Sequence, residues 1–120
     1  MSYKDLDIYN LALELFFKVH PLSLKLPKYE LYELGSQIRR SADSVVTNIV
    51  EGYGRRKYKA EYIRFLIFSH ASADETILHI IKIKKLYPQF TEEYSYLEKE
   101  YNILDAKINS YIKYVENNWE

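Results

Sequence analysis

There is no cysteine in this sequence. Disulfides, thiolate zinc sites, iron–sulfur ligation and a cysteine nucleophile are therefore excluded, and a reducing compartment suits the chain. Glycine and proline are scarce, at three each. Pro21 with Pro27, Gly52 with Gly54, and Pro88 mark breaks in the chain, while Gly35 stands alone. Long stretches that lack both residues and carry helical periodicity read as helices. Strand-like alternation, an Asn-Gly hairpin turn, an internal repeat and low complexity are all missing. No stretch approaches the roughly 18 uncharged apolar residues of a membrane span, and the first residues do not open a secretion signal. The expected location is the cytoplasm, with no membrane partner. Net charge is absent too: 17 basic residues stand against 17 acidic ones, so global charge nominates neither nucleic acid nor a membrane surface.

What is present fits one folded domain over residues 1–120, with 48% hydrophobic and 28% charged residues. That is room for one core and too much apolar matter for a disordered chain. Thirteen tyrosines offer large surfaces with a polar tip, suited to interfaces, or reflect a bias of composition.

The pattern predicts helices over 4–20, 29–52, 57–86 and 91–117. In the fourth, Tyr94, Leu97, Tyr101, Leu104, Ile108, Tyr111 and Val115 step by threes and fours, a heptad-like seam, and Thr91 is the expected N-cap. In the second, Leu31, Leu34, Ile38, Ala42, Val45 and Ile49 form a similar stripe, with Gly35 marking either a close backbone approach or a frayed first turn. In the first, Leu6, Tyr9, Leu13, Phe16 and His20 line one face, and Ile8, Leu11, Leu15 and Val19 lie off it. In the third, residues 62–68 are apolar around nearly the whole circumference, interrupted only by Arg64. A helix of that kind is buried on more than one side. It belongs to an oligomer, or to a long central helix inside an irregular monomer.

The string Gln37-Ile38-Arg39-Arg40-Ser41, then Ser44-Val45 and Asn48-Ile49-Val50-Glu51-Gly52, followed by Phe65-Leu66, Ser72 and Glu75, resembles the four-helix-bundle proteins encoded in intervening sequences of bacterial 23S ribosomal RNA genes. Val50 stands where that family usually has alanine, Ala71 where it has glycine, and Ala73 and Thr76 where it has leucines. The family includes accessory proteins of diversity-generating retroelements, which assist a reverse transcriptase and bind nucleic acid. The resemblance implies an all-α, antiparallel up-and-down four-helix bundle, a homo-oligomeric barrel, pentameric in arrangement, and no known enzymatic activity.

Local charge shows what the total conceals. Residues 55–87 hold eight basic and three acidic residues, a net +5, and residues 88–120 hold three basic and seven acidic, a net −4. Arg55, Arg56, Lys57, Lys59 and Arg64 gather near one turn, with Tyr53, Tyr58 and Tyr62 interleaved. Basic groups neutralise phosphates and rings stack on unpaired bases, so this is the candidate nucleic-acid surface. The competing reading is a solvated turn, or basic groups that pair with the acidic fourth helix of a neighbouring subunit.

Gln37, Ser41, Ser44, Asn48 and Glu51 form a polar stripe beside the apolar one on the second helix. Arg39 or Arg40 is expected to reach a carboxylate such as Glu51 or Glu75 while the other faces out. Buried polar groups need partners, and Ser69, His70 and Ser72 are the candidates for this stripe, in which Asn48 and Gln37 are expected to be buried and hydrogen-bonded in an interhelical network that fixes register. Gly52-Tyr53-Gly54 lacks the third glycine and preceding strand of a dinucleotide site and reads as helix termination. His70 and His79, nine residues apart, fall on opposite helix faces and cannot share a metal within that helix. His20 suits a helix C-terminus. No di-iron Glu-x-x-His pair, nucleophile elbow or P-loop occurs, so no cofactor, no metal and no small-molecule substrate is expected. Two readings remain. One is a homo-oligomeric scaffold that touches RNA, DNA or a nucleic-acid enzyme. The other is a protein-interaction oligomer with no nucleic-acid role.

Overall fold

Four helices carry most of the chain: α1 (Asp7–Ser23), α2 (Leu34–Gly54), α3 (Lys59–Leu86) and α4 (Thr91–Asn118). These come from a computed structural model that describes residues 2–120. Short 3-10 turns at Tyr3–Asp5, Lys28–Glu30 and Pro88–Phe90 precede α1, α2 and α4, and no strand occurs among the described residues. Each helix lies against its two neighbours around a ring, α1 on α2, α2 on α3, α3 on α4 and α4 on α1. Side-chain pairs fix the directions as antiparallel. Ser41 meets Thr76 and Ser44 meets Ser72 across α2 and α3. Tyr62 meets Tyr111 and Lys84 meets Glu98 across α3 and α4, and Asp7 meets Lys107 while Lys18 meets Tyr96 across α1 and α4. The rod measures 48 × 23 × 20 Å, its length set by the 28-residue α3 and α4, each about 42 Å long at 1.5 Å per residue. Among the described residues no helix is long and apolar enough to cross a membrane.

The stripes of α2 and α4 are buried as their spacing predicts, save Leu31, which is exposed, and Tyr111, which is half-buried. α1 differs. Its core face is Ile8, Ala12, Leu15 and Val19, while Tyr9, Leu13 and Phe16 sit half-buried at the rim and His20 is exposed. Both stripes of α1 are apolar, and the small Ala12 side chain selects the inner one because it lets the neighbouring helices come close. Pro21 lies inside the last turn of α1 rather than ending it.

α2 begins later than its periodicity predicts because Glu30 folds back over its N-terminus. One Glu30 carboxylate oxygen accepts the Leu34 N–H at 3.3 Å, and the other accepts a hydrogen bond from Tyr87. A Cβ on Gly35 would stand 2.7 Å from the Glu30 carbonyl oxygen, so a close backbone approach explains that glycine. Gly52 also sits inside the helix, where a Cβ would lie 3.0 Å from Phe65 Cβ on α3, and the helix ends at Gly54. Thr91 is the first residue of α4 and its hydroxyl donates to the Pro88 carbonyl, so it is not the N-cap.

Candidate nucleic-acid interface

The turn between α2 and α3 is held by backbone bonds from Arg55 to Gly52, Arg56 to Tyr53 and Tyr58 to Arg55. Behind it lies an aromatic cluster drawn from distant parts of the chain. Tyr53 meets Tyr3 and Tyr62, and Tyr62 meets Tyr111 and Trp119, all edge to face. The Tyr62 and Tyr111 hydroxyls are 2.8 Å apart. Burial, and then the bond to Tyr111, pushes the Tyr62 hydroxyl well above the ordinary tyrosine range.

The five basic residues are brought to this end of the bundle and held in different ways. Arg55 lies 3.7 Å from Glu61 and 4.0 Å from Glu51, with its guanidinium over the Phe65 ring. Arg56 lies 4.0 Å over Tyr53 and donates to the Tyr53 carbonyl. Lys59 donates to the Glu116 carbonyl at 2.7 Å, at the C-terminal end of α4, where a cation meets the negative end of the helix dipole. Arg64 lies 3.3 Å from Glu61 and above Phe65 and Phe68. Lys57 has no carboxylate within ion-pair distance among the described residues and lies over the exposed Tyr58. Tyr53 and Tyr62 are buried, so of the interleaved tyrosines only Tyr58 offers a ring to a base. Glu61 and Glu116 were not singled out from the sequence. Glu61 was legible there as the residue three before Arg64, whereas Glu116 becomes a partner only through the fold.

Between α2 and α3 runs a ladder of hydroxyls. Ser69 donates to the Val45 carbonyl at 2.7 Å, the Ser44 and Ser72 hydroxyls are 2.9 Å apart, and Thr76 Oγ1 lies 2.8 Å from both Ser41 Oγ and the Ser72 carbonyl. Of the partners expected for the polar stripe, Ser72 meets Ser44, whereas Ser69 bonds the Val45 backbone and His70 turns to Asp105; Thr76, standing where the family usually has leucine, is an unexpected partner. Asn48 is half-buried and its amide turns back to Ser44, donating to the Ser44 carbonyl at 2.9 Å. Gln37, Arg40 and Glu51 are exposed rather than part of a buried network. The hydroxyl contacts with α3 fall at Ser41 and Ser44 in the middle of the stripe, and its two ends, Gln37 and Glu51, stay in solvent. Arg39, expected to reach a carboxylate if Arg40 did not, donates instead to Ser23 Oγ and the Leu31 carbonyl, which holds the connection before α2 in place.

His79 is buried, 3.3 Å from Glu75 one turn before it. His70 turns away from the ladder toward α4, where it meets Asp105. Burial, and then the neighbouring Asp74 carboxyl, pushes Asp105 up to about 7.

No curated protein matches this sequence. Among solved structures, the chain resembles a protein of unknown function from the S23 ribosomal protein family of Bacteroides thetaiotaomicron. The two share 22% identity at a TM-score of 0.75, over 88% of this chain and 98% of that one, which is a likeness of fold. The family model described as 23S rRNA-intervening sequence protein matches residues 4–110, a span that holds the basic turn, the hydroxyl ladder and most of all four helices. On that match, this four-helix chain belongs to the 23S rRNA-intervening sequence protein family.

Proposed function

We propose that the chain is a non-enzymatic helical scaffold that assembles with copies of itself in the cytoplasm, in a pentameric barrel, and that its basic turn touches RNA or DNA phosphates without reading sequence. The observation that supports assembly is the outward face of α3. Ile67, Leu78 and Ile81 are each about half exposed and Phe68 nearly so, although the opposite face of the same helix already fills the core. These form two apolar patches, Ile67–Phe68 and Leu78–Ile81, along one helix, and together they mark an interaction surface. Arg64, Asp74, Glu75, Lys82 and Lys85 lie beside and between these patches with both signs of charge, which suits pairing with a second copy. A scaffold role also agrees with the hydroxyl ladder, whose groups are taken up by one another and by helix carbonyls rather than aimed at a substrate.

For nucleic acid, the supporting feature is the turn itself. Arg56 and Lys57 are exposed and have no carboxylate partner among the described residues, and a ring repeats them once per subunit, so modest charge becomes multivalent. The second reading, a protein-interaction oligomer alone, draws on Glu61, which already occupies Arg55 and Arg64.

Light scattering after size exclusion tests assembly. The wild type should run as a concentration-independent oligomer, and the Ile67→Glu, Ile81→Glu double variant as a monomer with unchanged helical circular dichroism. A monomeric wild type overturns the scaffold reading. Anisotropy of labelled single-stranded RNA and DNA at about 50 mM salt, where the phosphate contribution is strong, tests the turn. Binding should fall steeply with salt and disappear when Arg55, Arg56 and Lys57 are all changed to serine in an intact oligomer. Absence of any wild-type shift transfers the assignment to the protein-interaction reading.

A further inference from the structure

On the side of the bundle where α3 meets α4, three side chains of metal-ligating type converge. His70 and Asp74 sit one turn apart on α3, and Asp105 faces them from α4. One ligand atom from each lies within 4.8 Å of the others. His70 Nδ1 is 3.5 Å from Asp74 Oδ2, and His70 Nε2 is 3.2 Å from Asp105 Oδ1.

Two features separate this cluster from ordinary surface acids. The first is that Asp105 Oδ1 is sealed from solvent yet has no hydrogen-bond partner. It stands 3.2 Å from an imidazole nitrogen without the alignment of a hydrogen bond. Ligand atoms that share a third body have this relation: around a tetrahedral ion with bonds of about 2.0–2.1 Å they stand about 3.3 Å apart, each directed at the ion rather than at its neighbour. The second is that neither Asp74 nor Asp105 has a lysine or arginine within ion-pair distance among the described residues. The carboxylates that form ion pairs between helices elsewhere, Glu98 across α3 and α4 and Asp7 across α1 and α4, each meet a lysine. Among the described residues, His70 is the one group within ion-pair distance of both carboxylates, and it offers them a positive charge only when protonated.

We infer that His70, Asp74 and Asp105 form a binding site for a divalent first-row transition ion of the zinc class. One imidazole nitrogen and two carboxylate oxygens suit zinc or manganese, whereas magnesium and calcium favour oxygen-only surroundings. Three protein ligands leave a coordination position for water or an exchangeable group. Asp105 is mostly buried and fixed by its helix, so Asp105 and His70 Nε2 are the anchoring pair, and Asp74, largely exposed and placed beside the other ring nitrogen, would swing to the Nε2 side to complete the set. The ion would tie α3 to α4 at mid-length. The site stands apart from the basic turn, and its test reads neither assembly nor nucleic-acid binding.

Isothermal titration of the full chain, stripped with a chelator and then titrated with zinc chloride near neutral pH, should give one ion per chain, undisturbed by excess magnesium. His70→Ala and Asp105→Asn should each weaken binding more than about a hundredfold, beyond the roughly 10–100-fold loss usual for an outer-shell residue. Glu75→Gln, which alters an exposed carboxylate on the same helix, should leave binding unchanged. Asparagine at 105 keeps the side-chain shape, and helical circular dichroism checks that both variants fold. As a second reading, cobalt(II) should show the visible absorption of a bound, low-coordinate ion in the wild type and lose it in His70→Ala. Zinc binding that persists in both variants, or that requires more than one ion per chain with no change in the cobalt spectrum, is adventitious surface binding only and overturns the inference.

Discussion

The indole N–H of Trp119 donates to the Arg56 carbonyl oxygen at 2.8 Å, so the C-terminal residues of the chain hold the basic turn from behind. Changing Trp119 to phenylalanine keeps a ring against Tyr62 and removes the bond. The expected loss is about 1 kcal/mol, read as a lower urea midpoint, with faster amide exchange at Arg55 to Tyr58. Trp119 is also the only tryptophan, so binding of a polyanion at the turn should change its fluorescence, and the Arg55, Arg56, Lys57 triple serine variant should abolish that change.

Gly52 and Gly54 lie two residues apart and should respond to alanine in opposite directions. At Gly52 a Cβ meets Phe65 Cβ at 3.0 Å. That atom is fixed to α3, so the helices must separate, at about 1–3 kcal/mol, more than the roughly 1 kcal/mol gained in helix propensity. At Gly54 no atom lies within 4 Å and the φ angle is not positive, so alanine should stabilise by about 0.5–1 kcal/mol. Chemical denaturation of the two variants checks the contrast.

Thr76→Val keeps the shape of the side chain and removes the hydroxyl that joins Ser41 to Ser72. Ser41 retains its bond to the Ile38 carbonyl, so the cost should stay near 1 kcal/mol. A double-mutant cycle of Ser44→Ala with Ser72→Ala should show coupling, while Gln37→Ala, on the exposed side of α2, should be silent. Equal effects of Gln37→Ala and Thr76→Val would refute the assignment of the ladder to the Ser41–Ser44 side.

Burial raises the hydroxyl pKa of Tyr62, Tyr94 and Tyr101, and the Glu30 carboxylate raises that of Tyr87. A group that holds its proton more tightly folded than unfolded contributes stability that is complete below its unfolded value, about 10 for tyrosine, and is lost as pH rises above it. The urea midpoint should therefore fall steadily above about pH 10. Tyrosinate absorbance from these rings should appear together with loss of helical circular dichroism, not before it.

The fold was legible where one stripe dominated a helix. On α4, residues spaced by threes and fours left a single face to bury. On α1 two apolar stripes competed, and only the neighbours of Ala12 decide between them. The start of α2 depends on Glu30 and Tyr87, 57 positions apart, a pairing that local periodicity does not encode. The basic turn was visible as a run of charge, but its support by Trp119, its partial neutralisation by Glu61 and the burial of Tyr53 and Tyr62 all arise from tertiary contact. The histidine cluster was half visible: Asp74 follows His70 by one turn, whereas Asp105 enters through the register of α4 on α3.

The connections between helices differ in length, and the difference orders the folding reaction. Four residues, 55–58, join α2 to α3, and four, 87–90, join α3 to α4, whereas ten, 24–33, separate α1 from α2. The α2–α4 portion can assemble through short closures of low entropic cost, while α1 must also meet α4 across a separation as long as that from Asp7 to Lys107. The contact of α1 with α4 should therefore form late, leaving the α4 face it covers exposed longest. During synthesis α1 can already lie on α2, its more extensive partner, while its contact with α4 waits for α4 to follow.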